Sequence, residues 1–329
     1  MSAPTSIALE VQDLSVAVHI EHGLARVVDG VSLALEPGQT LGLVGESGCG
    51  KSMTCLAVMG LLPRQAQASG SVRLGNDNLL ALPERRLEEI RGRAIAMVFQ
   101  NPHSALNPVR TIGVQIAETI CRHEGLAWSA AMAEARRLLD RVQIAAPARR
   151  LTEYPHHLSG GMCQRVMIAL AIACRPRILI ADEPTTALDV TVQAQILALL
   201  RELQAELGMS LVIVTHDLGV VAHMADTVSV MYAGRIAEHA PVADLFARPL
   251  HPYTQALLAA LPHRAVDGQR LTSIPGTVPE PFERPVGCAF HPRCAEADAS
   301  CADRRPLIQS WLGAHSVACH KVTPTAEAA

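Results

Sequence analysis

No run of apolar residues in this chain is long enough to cross a bilayer. The longest uninterrupted one, residues 166–174, has nine residues and is bounded by Arg165 and Arg175. A spanning helix needs about twice that. The opening "MSAPTSIALEVQD" lacks a basic stretch followed by an apolar one, so no export signal is expected. A basic run is missing too, and the formal net charge is −3. Both argue against nucleic acid as the main partner. No heptad pattern appears, which speaks against a long coiled coil, and no internal repeat stands out. Cysteine is not scarce: there are nine. Without an export signal they read as reduced thiols or metal ligands, not disulfides. Cys49, Cys55, Cys121, Cys163 and Cys174 lie in apolar or glycine-rich surroundings and read as buried bystanders.

What the chain does have is length, 329 residues, and an apolar fraction of 49%. That is enough for a large core and more than one domain. Residues 7–44 alternate between short β-like runs and turn residues, with "PGQ" before "TLGLVG". A helical pattern follows at 52–62, then a strand, "AIAMVFQ", at 94–100. Residues 111–144 read as amphipathic helices. "RILIADE" is a continuous apolar strand of the kind buried on both faces of a parallel sheet. Helix "VQAQILALLRELQAEL" and strand "SLVIVTHD" come next. Alternating strands and helices indicate an α/β core. Past residue 240 the texture changes, since eleven of the 21 prolines fall in the last 89 residues. We expect a main domain over 1–240 and a small loop-rich extension over 241–329.

Three stretches carry chemistry. "LGLVGESGCGKSMTCLAVMG" contains Gly45-x4-Gly50-Lys51-Ser52, a complete P-loop in the context of strand, loop and helix. Loop N–H groups cradle phosphates, Lys51 neutralises β/γ oxygens, and the Ser52 hydroxyl holds Mg²⁺. "ILIADEP" ends an apolar strand in Asp182 and Glu183. That places two carboxylates at the strand's C-terminal edge, where open parallel sheets bind ligands. One carboxylate steadies Mg²⁺ and its neighbour orients or deprotonates a water. "HLSGGMCQRVMIALAIAC" puts Ser159, Gly160 and Gly161 at the mouth of a long apolar helix. This is anion-binding geometry without a lysine of its own.

Together with Gln100 after a strand, "ILIADEPTTALD" and "VTHD", these motifs occur in the order found in ATP-binding subunits of ABC transporters. Residues 7–240 resemble that family, and "RPLHPYTQALLAALP" resembles the extension of its oligopeptide/dipeptide importer branch. The resemblance implies an α/β P-loop NTPase with a mixed sheet core, an N-terminal β-subdomain and a helical signature subdomain. It implies ATP binding by Gly45, Glu46, Ser47, Gly48, Cys49, Gly50, Lys51, Ser52 and Met53, with Gln100, Asp182 and His216. Mg²⁺ would be held through Ser52, Gln100 and Asp182. Glu183 would be the general base, His216 would contact the γ-phosphate, and Gln100 would sense Mg²⁺ and the attacking water. Two such subunits pack head to tail in the family. Ser159, Gly160, Gly161 and Met162 would therefore cap the partner's ATP, and Asp189 would lie at the dimer interface.

The implied partners are a homologous but different ATPase chain, two membrane permease subunits and an extracytoplasmic solute-binding protein. The implied place is the cytoplasmic face of the inner membrane, peripherally attached. In the family the surface around "NPHSALNPVRTIGVQ" receives a short helix from each permease. Implied function is ATP hydrolysis powering uptake of peptides or similar small solutes. The alternative is a soluble ABC ATPase remodelling DNA or ribosomes. Such proteins usually carry a coiled-coil insertion or two nucleotide domains, and this chain has one P-loop and no heptads. A non-hydrolytic regulator would need a defective catalytic set, and none is visible. Two departures from the family stand out. Met162 replaces a common glutamine, and Val18 sits where an aromatic residue usually stacks on adenine, a loss of about 1–3 kcal/mol. His19 follows, but strand alternation points it the other way.

In the extension, Cys288, Cys294, Cys301 and Cys319 fall among Pro, Gly and Arg. So little apolar material needs a staple. Structural zinc prefers tight Cys-x2–4-Cys pairs, absent here. Wider spacing suits an iron–sulfur cluster, and similar cysteine sets in peptide-importer ATPases are associated with a [4Fe–4S] cluster. Arg293, Arg304 and Arg305 would offset its charge, and His291, His315 and His320 are secondary ligand candidates. Zinc and free thiols remain the alternatives.

Overall fold

The computed structural model describes residues 7–21, 23–186, 188–261 and 274–322. In chain order it begins with β1 (Leu9–Ile20), β2 (Gly23–Leu35), β3 (Thr40–Val44), α1 (Lys51–Val58), β4 (Ala66–Leu74) and β5 (Asp77–Asn78). Next come α2 (Glu84–Ile90), β6 (Ile95–Val98), α3 (Pro102–Ala105), α4 (Ile112–Glu124), α5 (Trp128–Arg141), α6 (Pro147–Arg150) and α7 (Gly160–Ala171). The core continues through β7 (Ile178–Asp182), α8 (Val190–Leu207), β8 (Ser210–Thr215), α9 (Leu218–Met224), β9 (Thr227–Tyr232) and β10 (Arg235–Pro241). Last are α10 (Val242–Ala247), α11 (Pro252–Ala259), α12 (Ala299–Asp303), β11 (Gln309–Leu312) and β12 (His315–Val317). Among the described residues no helix is long and apolar enough to cross a membrane.

The chain forms two compact units. One holds Glu36–Gln39 and Ala81–Ile213; the other holds Leu9–Leu35, Thr40–Leu80 and the described residues from Val214 onward. In the first, β6 and β7 run parallel with Ile95 opposite Ile178 and Val98 opposite Ala181. β8 lies on the far side of β7. Every residue of β7 is buried, as the unbroken apolar run anticipates. Between β6 and β7 the chain is helical, and α4, α5 and α7 bury Ile116, Ile120, Leu138, Leu139 and Val166. Arg165 is enclosed there. Its Nη1 donates to the Val142 carbonyl at 2.9 Å and its Nη2 to Gln195 Oε1 at 3.1 Å, tying α7 to the end of α5 and to α8.

The second unit contains two sheets. The N-terminal one is antiparallel, in the order β2-β1-β4-β5. The other places β3 parallel to β9, with β10, β12 and β11 following as antiparallel neighbours. The C-terminal stretch therefore adds two strands to a sheet begun by β3. It also contributes Phe290, which packs edge-on to Tyr232 with ring centroids 5.2 Å apart and against Tyr253 at 5.3 Å. Tyr232, Tyr253 and Phe290 are all buried in one apolar cluster with Val230, Leu245 and Leu258. A segment too poor in apolar residues for a core of its own is anchored by borrowing one.

Candidate active site

The P-loop leaves β3, whose five residues are all buried, and its backbone demands glycine. Gly45 has φ +153°, and a Cβ there would lie 2.1 Å from the Met231 carbonyl oxygen. Gly50 has φ +104° and caps α1 without any side-chain hydrogen bond. The first-turn N–H groups of α1 thus face no capping side chain, which is how a helix receives a phosphate. A Cβ on Gly48 would meet nothing within 4 Å, so the loop is open at that point. Lys51, 5% exposed, folds its ammonium onto the loop and donates to the Gly45 carbonyl at 2.7 Å and the Glu46 carbonyl at 3.0 Å. Burial pushes the Cys49 thiol up, partly offset by Lys51. These residues fit a polyphosphate, and the Ser52 hydroxyl at the start of α1 is a hard oxygen donor of the kind Mg²⁺ prefers.

The carboxylate pair lies in the first unit. Asp182 ends β7 and is 4% exposed. Glu183 follows in the left-handed region, with φ +46°, a conformation that costs a non-glycine residue about 1–3 kcal/mol and persists only when its surroundings hold it. Two donors do so. Gln100 Nε2 donates to Glu183 Oε2 at 2.9 Å, and the Thr186 hydroxyl donates to the same oxygen at 2.7 Å.

Ser159 caps α7, its hydroxyl accepting from the Met162 N–H at 3.4 Å. It is exposed, and Gly160, beside it, has only the Leu188 side chain near at 3.9 Å from a would-be Cβ. A Cβ on Gly161 would press Val192 of α8 at 2.9 Å, so this glycine lets two helices approach. Asp189 caps α8, accepting from the Val192 N–H at 3.0 Å. His216 follows β8 and is exposed.

The sequence matches the family model described as ABC transporter over residues 28–186, and that described as oligopeptide/dipeptide transporter, C-terminal region, over 237–301. It is 47% identical over 314 residues to the dipeptide transport ATP-binding protein DppD of Escherichia coli, covering 95% of this chain and 96% of that one. The oligopeptide transport ATP-binding protein OppD of Salmonella typhimurium is 46% identical, covering 92% and 91%. Among solved structures, the dimeric post-hydrolysis state of the ATP-binding cassette MJ0796 bound to ADP and Pi is similar. Its TM-score is 0.64 at 26% identity, over 71% of this chain and 98% of that one. The chain belongs to the ABC transporter family. It has the fold of an ABC-type P-loop NTPase and is an ATPase of that family.

Of the residues read as the ABC site, the structure brings Gln100 and Glu183 into contact and turns the loop from Gly45 to Ser52 through positive φ at Gly45, Gly48 and Gly50. Val18 is half-buried in β1 opposite Ala25 and Ala66, while His19 is exposed. Thr186 was not singled out from the sequence, although it lies three residues after Glu183 and a hydroxyl there reaches back across a turn. Arg293 and Tyr253 were not foreseen as neighbours of the P-loop. Yet Tyr253 Oη accepts from the Glu46 N–H at 2.9 Å, and Arg293 forms two hydrogen bonds with the Glu46 carboxylate.

Of the four extension cysteines, Cys288, Cys294 and Cys319 each lie within electrostatic reach of Cys301. Burial raises the thiols of Cys288, Cys294 and Cys319, and neighbouring cysteines raise them further. The Cys288 N–H donates to the Cys301 carbonyl at 2.8 Å. Among the described residues, however, no group of three or more His, Cys, Asp or Glu is arranged to hold a metal ion. The structure thus gives the iron–sulfur expectation for these cysteines no support. The assigned helpers are also engaged elsewhere. Arg293 pairs with Glu46 and Arg305 lies 3.7 Å from Asp29. His315 bonds Glu238 at 2.7 Å, His291 the Cys288 carbonyl at 2.9 Å, and His320 the Arg304 carbonyl at 2.8 Å.

Proposed function

We propose that this chain powers peptide uptake by an ABC importer, hydrolysing ATP in a composite site shared with a second, homologous ATPase chain. The observation that carries the chemistry is Glu183, held by Gln100 and Thr186 in a strained conformation at the end of a buried strand. In this reading Glu183 takes the proton of the attacking water, Gln100 fixes its carboxylate, and Lys51 with the loop N–H groups binds the phosphates. His216 contacts the γ-phosphate. Ser52, Gln100 and Asp182 would hold Mg²⁺, which would supply positive charge to offset the phosphates.

Ser159, Gly160, Gly161 and Met162, on an exposed helix start, cap the partner's ATP, with Asp189 beside the interface. The dimeric state of the similar MJ0796 cassette supports a paired arrangement. Peptides as cargo rest on the match to the oligopeptide/dipeptide transporter region and on the names of the OppD and DppD relatives. Two permeases and an extracytoplasmic binding protein complete the assembly, with this chain peripheral on the inner face of the membrane. The domain plan is an ATP-binding module over 1–240 with an importer-type extension over 241–329.

The [4Fe–4S] reading of the four cysteines is a matter for iron analysis of anaerobically purified protein, and no step of the proposed function passes through it. The test of the function is reconstitution in vesicles with both permeases and the second ATPase. ATP-dependent uptake of labelled di- or oligopeptides is expected, and uptake that persists without ATP or fails for every peptide overturns the reading.

A further inference from the structure

The second residue of the phosphate loop is acidic. Glu46 sits one residue past Gly45, and its carbonyl accepts from Lys51 Nζ at 3.0 Å. A carboxylate at the entrance of a site for a highly charged anion opposes binding unless a cation neutralises it. The cation comes from residue 293, 247 positions away. Arg293 Nη1 donates to Glu46 Oε2 at 2.6 Å and Nη2 to Oε1 at 2.9 Å, the planar two-bond pairing that arginine makes with carboxylates.

The guanidinium is itself fixed. Its Nε donates to the Pro275 carbonyl at 2.7 Å, it lies over the rings of Tyr232 and Phe290, and the side chain is 5% exposed. The Glu46 backbone is caught as well, since its N–H donates to the hydroxyl of Tyr253, which is fully buried. Residues beyond 240 therefore grip one P-loop residue by both side chain and backbone. That residue in turn bonds the phosphate lysine.

We propose that Arg293 and Tyr253 are positioning residues for ATP: Arg293 neutralises Glu46, and the two together hold the leading turn of the P-loop in the shape that receives the triphosphate. The proposal rests on the P-loop binding ATP. It assigns the C-terminal stretch a part in nucleotide affinity that the ABC motifs do not contain.

The experiment measures MgATP affinity of the full chain by calorimetry. Arg293→Ala is expected to weaken binding about tenfold, the loss of roughly one good charged hydrogen-bond pair. Adding Glu46→Gln to Arg293→Ala is expected to restore most of that loss, because the unpaired carboxylate is gone. A role of Arg293 in packing alone predicts no such rescue. In the assembled complex the Arg293→Ala effect falls on KM for ATP more than on kcat. Where Arg293→Ala lowers the yield of folded protein, Arg293→Lys replaces it, with a loss of about threefold and the same rescue. Wild-type affinity in the single variant, or a double variant as weak as the single one, overturns the proposal. A wild-type chain that binds no MgATP overturns the proposed function instead.

Discussion

Gln100 and Glu183, 83 residues apart, are joined by a hydrogen bond of 2.9 Å from the Gln100 amide to Glu183 Oε2. The amide donates, so it fixes where the carboxylate points. Thr186 donates to the same oxygen at 2.7 Å, so two side chains converge on one carboxylate oxygen.

Glu183→Gln follows directly. A glutamine keeps the volume but cannot take a proton. Turnover in the assembled complex is expected to drop by about 10²-fold or more with MgATP binding retained. The variant should also accumulate closed, ATP-loaded dimers, seen by size-exclusion chromatography. Hydrolysis near the wild-type rate would remove Glu183 from its role.

Ser159→Arg addresses the composite site. If α7 caps the partner's ATP as proposed, a long cation at its exposed start blocks that nucleotide. Hydrolysis by the complex is expected to vanish, and MgATP affinity of the isolated chain to stay unchanged. Loss of binding by the isolated chain would show that α7 serves its own loop.

Gly45→Ala tests the backbone demand of the P-loop. The added Cβ would collide with the Met231 carbonyl oxygen at 2.1 Å, in a conformation that L side chains rarely adopt. Stability is expected to fall by about 2 kcal/mol or more, with ATP binding lost. Denaturant unfolding measures the first and calorimetry the second. A midpoint equal to that of the wild type would contradict the geometry.

His251 gives the pH prediction. Burial pushes its imidazole down to about 4, against a weaker pull upward from Glu238. The folded chain keeps it neutral, whereas the unfolded chain protonates it near pH 6.5. Its contribution is therefore complete above about pH 6.5 and is lost progressively as pH falls to about 4, up to about 3 kcal/mol in all. His239, lowered by burial in the same way, adds to the trend. The melting temperature should drop between pH 7 and 5. His251→Asn keeps an acceptor for the Tyr253 N–H, which His251 Nδ1 now caps at 3.0 Å, and should flatten the profile. An equally steep profile in the variant would assign the effect elsewhere.

The sequence by itself determined the parts whose geometry is written in neighbouring residues. Gly45, Gly48 and Gly50 dictate the loop's left-handed turns, the apolar run before Asp182 dictates a buried strand, and Ser159 dictates a capped helix start. Each is settled within a few positions, because glycine conformation, strand burial and helix capping are local. The alternation of these segments was enough for the α/β class. Only the tertiary structure decided what lies opposite each group. The strained Glu183 is held by Gln100 from another strand's end, and Glu46 is held by Arg293 from the far end of the chain. From sequence, Arg293 looked like a counter-charge for cysteines because it stands next to Cys294, and nothing local links it to residue 46. Likewise, four cysteines in one stretch suggested a metal staple. What the structure shows holding the stretch is Phe290, packed against both Tyr232 and Tyr253. An ion pair or an aromatic contact depends on where the chain path returns, and that path is set by the packing of the whole core.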